Sequence, residues 1–507
     1  MGLRFWEPLG RYWPFLCTLL LSFALFLSEP TIVDFFHTGH SNWVSLHSLA
    51  IAKHSRLAVG GVGFSCTWFD PQGHLWHDYF NRYPLPFAVL SRWILKRWSG
   101  DAVSWMYAAR QWMNLIFVAT GVALWFWLRA LRFSRPVAMT ALVLTGAAPV
   151  VLQYRSMFHF DQPALLAYAL LLLVVVRKLL IDRPDLRWYL GMLLVASLAG
   201  RSAVVLIFSL VLPSVLTLFR SSSASRWLWC GGPLAFGAVL IATSYNVIWE
   251  MRLNQVNLWQ TSVVQSALRR LDLSTDGFSP AHLERTSWLG GALPKLIEYL
   301  TQYCIPLLTV FALLLLFRLL AGLSSDGLTP RRLQDPGDLV GDSPRLLMLW
   351  STGLSSLLWV VTMKNLFVFH IYAGMMILPF LLLCLASLLE RLVVEVGDFW
   401  AISDRSLHSI LVLSAVSVFL LVLLLGPSAE QRPDQSRKLA LEGFFKELNH
   451  YRSASETLPP VPKNDGWFPR SPYAQCALLD GPTLLEPPAD GIQAPQPPAF
   501  PPKPNSR

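Results

Sequence analysis

Apolar runs of about 20 residues recur from the N-terminus to about residue 426, each long enough to cross the ~30 Å hydrocarbon layer of a bilayer. In hydrocarbon, backbone N–H and C=O groups must be satisfied without water. Single spanning segments of this kind can therefore only be helices. A β-barrel would need short alternating strands, whereas a stretch such as Leu170–Val176 is apolar without a break. Charged residues make up 14 % of the chain, against about 25 % in soluble domains. The expected fold is all-α: a polytopic transmembrane bundle of about eleven helices. They are placed near 12–29, 108–130, 136–153, 162–181, 187–200, 202–219, 227–248, 297–319, 346–363, 371–391 and 407–426.

The net charge of +10 is a topology signal, not a nucleic-acid footprint. With the N-terminus inside, the inside segments carry Arg129, Arg132, Arg135, Arg177, Lys178, Arg183, Arg187, Arg220, Arg226, Arg318, Arg331, Arg332, Arg345, Arg391 and Arg405. The short outside hairpins carry one cation each, Arg155, Arg201 and Lys364. This asymmetry depends on the region 187–219, which as one helix would be ~50 Å long. A single helix there would also reverse the charge bias downstream. Two short helices broken near Gly200-Arg201 preserve it, provided the break faces protein rather than lipid.

The first run follows Arg4 and Arg11 and has no A-x-A-like site after it, so it reads as an uncleaved helix. The six cysteines are scattered without a C-x-x-C, which argues against a zinc knuckle. The domain reading is a transmembrane region over 1–426, with outer loops at 31–106 and 250–296, followed by a Pro-rich tail over 427–507 expected to be largely disordered. Two segments of the first loop, Trp43–Ala52 and Phe87–Trp98, have the spacing of short helices lying in the membrane interface.

Ionisable groups, aromatics and turn residues crowd into the first loop. Asp34 follows the first helix, where partial desolvation would raise its basicity and suit a general base. An N-capping aspartate is the alternative. His37 and His40 could join Asp34 or Asp161 on a divalent metal, or be surface histidines. Asp161, in His159-Phe160-Asp161, stands at a helix mouth, where it must be paired, with Arg155 or Arg201, or used. Arg82 could grip a phosphate or anchor the interface. Arg201 is the clearest phosphate candidate within the membrane zone; Lys364, His370, Arg252, Arg269 and Arg270 are weaker ones.

This layout resembles the membrane-embedded GT-C glycosyltransferases. The nearest branch holds the protein O-mannosyltransferases and the lipid A aminoarabinose transferase. The resemblance rests on Val33-Asp34-Phe35-Phe36-His37-Thr38-Gly39-His40 opening the first loop and Asn81-Arg82-Tyr83-Pro84-Leu85-Pro86 closing it. It also rests on Asp161 in FHFDQPALL, on Tyr107-Ala108-Ala109-Arg110, and on His370-Ile371-Tyr372 followed by Leu378-Pro379. One departure is that the family's Asp-Glu pair is here Asp34-Phe35.

The resemblance implies an inverting transfer of a hexose or pentose from a polyprenyl-phosphate sugar to a lipid, glycan or protein acceptor. The chemistry would sit at the extracytoplasmic face of a plasma or inner membrane. Asp34 would be the base, and Arg82, Arg201 and Lys364 would bind the donor phosphate. His37, His40, His159 and Asp161 would support the site or hold a divalent metal ion; Tyr83, Pro84, His370 and Tyr372 would close the loops. Partners would be the donor, the acceptor and membrane lipids, and no nucleic acid. The alternatives are a non-catalytic membrane scaffold and a lipid or small-molecule transporter.

Overall fold

The computed structural model describes residues 40–54, 64–69, 75–79, 85–97, 102–181, 185–219, 228–271, 273, 287, 291–324, 344–400, 404–425 and 483–484. The expected first helix, Asp34, His37, Arg82, Tyr83, Pro84 and almost all of the tail lie outside these residues. In chain order the elements are α1 (His40–His54), β1 (Phe64–Phe69), β2 (Leu75–Tyr79), α2 (Leu85–Arg97), α3 (Ala102–Ala130), α4 (Arg135–Gly146), α5 (Pro149–Tyr154) and α6 (Asp161–Val175). A π turn, Val176–Ile181, extends α6. There follow α7 (Leu186–Leu198), α8 (Ser202–Phe219), α9 (Gly231–Leu253), α10 (Ser262–Arg270), α11 (Leu293–Ser324), α12 (Pro344–Thr362) and α13 (Lys364–Phe369). A 3₁₀ segment, Ile371–Ile377, leads into α14 (Leu378–Trp400), then α15 (Asp404–Leu425) and the short β3 (Thr483–Leu484).

Among the described residues, six segments are long and apolar enough to cross a membrane: 107–130, 161–181, 231–253, 293–320, 344–362 and 371–397. Shorter apolar helices cover 186–198, 202–218 and 406–422. The chain is an integral membrane protein, and its described helices after Ala102 fall near the hydropathy runs that predicted them. The expected helix over 136–153 is two pieces. Pro149 has no N–H to donate back into α4, and its ring suits the first turn of a new helix. The run expected to start at 371 begins as 3₁₀ and becomes α-helical only at Leu378.

The chain forms two compact units. The first holds most of the spanning helices. In it, Met139, Val143 and Ala147 of α4 and Leu152 of α5 pack against Val412, Ala415 and Phe419 of α15. Helix α8 packs along α12, in which the small hydroxylic residues Ser351, Thr352, Ser355 and Ser356 are buried. Thr352 Oγ1 donates to Met348 O at 2.7 Å and Ser355 Oγ to Ser351 O at 2.6 Å. These bonds satisfy the Thr352 and Ser355 hydroxyls inside their own helix, and the small side chains let a neighbouring helix approach closely.

One end of α12 is tied down by Arg345. Its guanidinium donates to Leu131 O (2.7 Å) and Arg132 O (2.9 Å), pairs with Glu390 (2.6 Å) and lies over the Phe133 ring. That clamp holds the α3–α4 turn, where Arg132 has φ of +66°.

The second unit contains the described part of the first outer loop. Its sheet runs β2-β1-β3, with β1 and β2 antiparallel and a bulge between Phe64 and Cys66. The tail contributes β3, parallel to β1, pairing Trp68 with Thr483 and Phe69 with Leu484. The two expected short helices are present as α1 and α2. Val44, His47, Leu49, Ala50, Ile51 and Ala52 of α1 are buried, and α1 packs on α2 and β1. In α2, Phe87, Ala88 and Ile94 are buried while Val89 and Trp93 are exposed. Asn254, just past α9, acts as an extra backbone unit beside β2. Its Nδ2 donates to His77 O at 2.7 Å, and its Oδ1 accepts from His77 N at 3.0 Å.

Candidate active site

In the first unit, polar groups gather where α5, α6, α7, α8 and the 3₁₀ segment end. The turn between α5 and α6 is Arg155–Phe160, and its residues are buried. Arg155 Nη1 donates to Leu152 O at 2.6 Å, a carbonyl that also accepts the Arg155 backbone N–H at the end of α5. Asp161 opens α6, where a negative charge is favoured by the helix dipole.

Between α7 and α8 the chain turns at Gly200, with φ of +155°. A Cβ there would lie 2.7 Å from Phe160 Cδ2 and 3.0 Å from Phe160 O. Only glycine lets the two backbones come so close. Ser202 Oγ donates to Ser197 O at 2.6 Å, satisfying an end carbonyl of α7. The consequence of this close approach is that Arg201 reaches Asp161.

Arg201 Nε donates to Asp161 Oδ1 at 2.5 Å, and His159 Nδ1 bonds Asp161 Oδ2. All three side chains are buried. Full burial of an ion pair is costly unless the carboxylate's oxygens are bonded, and here each oxygen has a nitrogen partner. The Arg201 guanidinium also lies 4.7 Å from the Phe160 ring centre and 5.7 Å from that of Tyr372.

Tyr372 is the aromatic hub. Its ring stands 5.8 Å from His159, 5.3 Å from His370 and 5.6 Å from Tyr154. Lys364 is buried at the start of α13, in the segment that leads to Tyr372. Gln162 Nε2 reaches Tyr154 O (3.3 Å) and Met375 Sδ (3.4 Å), tying α6 to the turn before it and to the 3₁₀ segment.

The structure thus brings together Arg201, Asp161, His159, His370 and Tyr372, which the sequence had placed in separate segments. Of the two partners weighed for Asp161, Arg201 is the one it takes. Arg252, Arg269 and Arg270 belong to the second unit, where Arg269 Nε bonds Gln265 O and Arg270 Nε bonds Ser266 Oγ. Sequence reasoning missed Phe160, Tyr154 and Tyr303. Tyr303 sits in a polar patch, Thr301-Gln302-Tyr303, within an otherwise apolar run, and that was the available signal.

Among the described residues, no group of three or more His, Cys, Asp and Glu side chains is arranged to hold a metal. His40 begins α1, but its side chain is outside the described set. His159 and Asp161 alone offer two donors, and Arg201 already occupies one oxygen of Asp161.

In the second unit, His47 Nε2 lies 3.6 Å from Asp78 Oδ2. Burial and the nearby Glu250 carboxylate push the Tyr79 phenol well above its usual range, and burial lowers the His77 imidazole.

The fold is that of a polytopic helical membrane protein. It is similar to the crystal structure of ArnT from Cupriavidus metallidurans bound to undecaprenyl phosphate. The likeness has a TM-score of 0.59 and covers 94 % of this chain and 86 % of that one, with 14 % sequence identity. No protein-family model matches the chain, and no curated protein matches it in sequence.

Proposed function

We propose that the protein is a membrane glycosyltransferase that moves a sugar from a polyprenyl-phosphate donor to a hydroxyl of a lipid, glycan or protein at the extracytoplasmic face. The observation that carries this reading is the buried Asp161–Arg201–His159 group beside Tyr372. It occurs in a fold similar to one solved with undecaprenyl phosphate.

In the proposed reaction Asp34 takes the proton of the acceptor hydroxyl. The acceptor oxygen forms a bond to the anomeric carbon as the bond from that carbon to the phosphate oxygen breaks. The electron pair leaves with the lipid phosphate, so the developing charge needs cations more than a proton donor. Arg201, Lys364 and Arg82 are assigned that role. Asp161 holds Arg201 through Nε, which fixes the direction of the rest of the guanidinium. Tyr83, Pro84, His370 and Tyr372 are assigned to the loops that close over the donor. His37, His40, His159 and Asp161 are assigned a supporting role. A divalent ion would require donors from His37 or His40 in addition to His159 and Asp161.

Of the buried charges described in the first unit, Arg155, Asp161, Arg201 and Lys364 stand at helix ends, and Arg110 lies three residues into the apolar span Tyr107–Ala130. That distribution favours chemistry at one face over a carrier, which needs ionisable groups near the midplane.

The direct test is mass spectrometry of glycolipids and glycans from cells with and without the gene, followed by transfer assays on purified protein. Loss of one hexose or pentose is expected. Asp34→Asn should lower transfer by ~10²–10⁴-fold while leaving the membrane level near normal. Unchanged glycans would support the scaffold reading instead.

A further inference from the structure

We propose that Tyr303 is a positioning residue: it sets where the Tyr372 ring stands beside Arg201 and His159. The inference rests on the functional reading above for its consequence, but its geometry stands on its own.

A 3₁₀ segment has poorer internal hydrogen bonds than an α-helix, so its conformation depends on what surrounds it. Here three helices hold Ile371–Ile377. From α11, Tyr303 OH donates to Ile371 O at 2.9 Å. From α12, Trp359 Nε1 donates to Ala373 O at 3.2 Å. From α6, Gln162 reaches the Met375 sulfur.

Tyr303 acts at two points. Its hydroxyl binds the residue before Tyr372. Its ring lies flush on Gly374, two residues after, where a Cβ would come within 2.3 Å of Cε2 and 2.9 Å of Cδ2. The backbone on both sides of Tyr372 is therefore fixed by one side chain, which is itself 2 % exposed. Tyr372 is the ring shared by His159, His370, Tyr154 and Arg201. Moving Ile371 or Gly374 would carry that ring away from the Asp161–Arg201 pair.

The proposal predicts that Tyr303→Phe, which keeps the ring and removes only the donor, loosens Tyr372 without unfolding the protein. Gly374→Ala should do the same from the other side by pushing the Tyr303 ring off the segment.

The experiment places 3-fluorotyrosine at position 372 of the full chain in lipid nanodiscs and records its ¹⁹F resonance with and without undecaprenyl phosphate. In the Tyr303→Phe protein the resonance should shift or broaden before lipid is added. Affinity for the lipid phosphate should fall by about two- to tenfold, the worth of one hydrogen bond. Where transfer is measurable, donor KM should rise more than kcat falls. Tyr303→Leu should be worse in every readout.

A resonance unchanged in folded Tyr303→Phe would overturn the proposal, whatever Gly374→Ala does. A lower unfolding temperature with that resonance in place would mean that Tyr303 is only structural. If the parent protein neither binds undecaprenyl phosphate nor transfers sugar, the functional reading fails, and the resonance still decides the role of Tyr303.

Discussion

Arg201 and Asp161 lie forty residues apart in sequence and meet through Nε and Oδ1 at 2.5 Å, both removed from solvent. The contact links the start of α6 to the break between α7 and α8. It also couples the two residues, because losing Asp161 takes the carboxylate from Arg201 and losing Arg201 leaves Asp161 Oδ1 without its guanidinium.

Asp161→Ala should therefore cost about 3–5 kcal/mol, the usual penalty for breaking a buried pair from one side. The double change Asp161→Leu with Arg201→Met should recover much of that stability, since neither charge remains to be desolvated. It should not recover donor binding. Thermal unfolding in detergent, with undecaprenyl phosphate binding measured alongside, checks both halves. An Asp161→Ala protein that unfolds at the parent temperature would show that the pair does not hold the α7–α8 break.

Gly200→Ala carries two separate penalties. Its Cβ would meet both the side chain and the carbonyl oxygen of Phe160, and its φ of +155° is one that side chains disfavour. A strained backbone of this kind costs ~1–3 kcal/mol. Adding Phe160→Ala removes the side-chain clash and leaves the carbonyl contact and the dihedral. The double variant should regain only part of the loss. Full recovery of the unfolding temperature would mean that the backbone term is negligible.

The break at Gly200-Arg201 was legible in the sequence because length and charge bias agreed: 187–219 is too long for one upright helix, and one helix would invert the downstream charges. The clustering of Asp161, Arg201 and Tyr372 was legible only as three polar segments on one side. Which partner Asp161 takes depends on the approach of Gly200 to Phe160, a contact between residues forty apart that no local pattern encodes. The 3₁₀ start at Ile371 was hidden for a similar reason. Its apolar composition suits an α-helix, and tertiary bonds from Tyr303 and Trp359 decide otherwise. The division of 136–153 could have been read from Pro149, whose position favours a helix start.

The second unit should weaken in mild acid through His77. Burial lowers the pKa of this imidazole below the ordinary value of 6.5, so the folded form keeps it neutral. The unfolded chain takes up a proton as pH falls through 6.5, while the folded chain resists. Stability is thus complete above 6.5 and is lost as pH falls from there toward the lower folded value. Amide exchange over Leu75–Tyr79, corrected for the intrinsic pH dependence, should show protection falling in that window. His77→Gln should flatten the slope; an unchanged slope would assign the acid sensitivity to another group.

The proposed sidedness can be tested at the two ends of α12. At its start Arg345 gathers the carbonyls of Leu131 and Arg132 and the carboxylate of Glu390. Past its other end come Lys364, His370 and Tyr372. Pro344–Thr362 rises about 28 Å at 1.5 Å per residue, close to the thickness of the hydrocarbon layer. The Arg345 cluster and the Asp161–Arg201 site therefore belong to opposite faces. We propose, from the cation excess around Arg129, Arg132 and Arg135, that the Arg345 face is the cytoplasmic one. Arg135 and Thr362 are both exposed, so each can report its face. In a cysteine-free background, Arg135→Cys should react with an impermeant maleimide only after the membrane is opened, and Thr362→Cys should react in intact cells or spheroplasts. The reverse pattern would place the site in the cytoplasm and remove the extracytoplasmic donor from the proposed reaction. A mixed pattern, with both labelled from one side, would mean that α12 does not span.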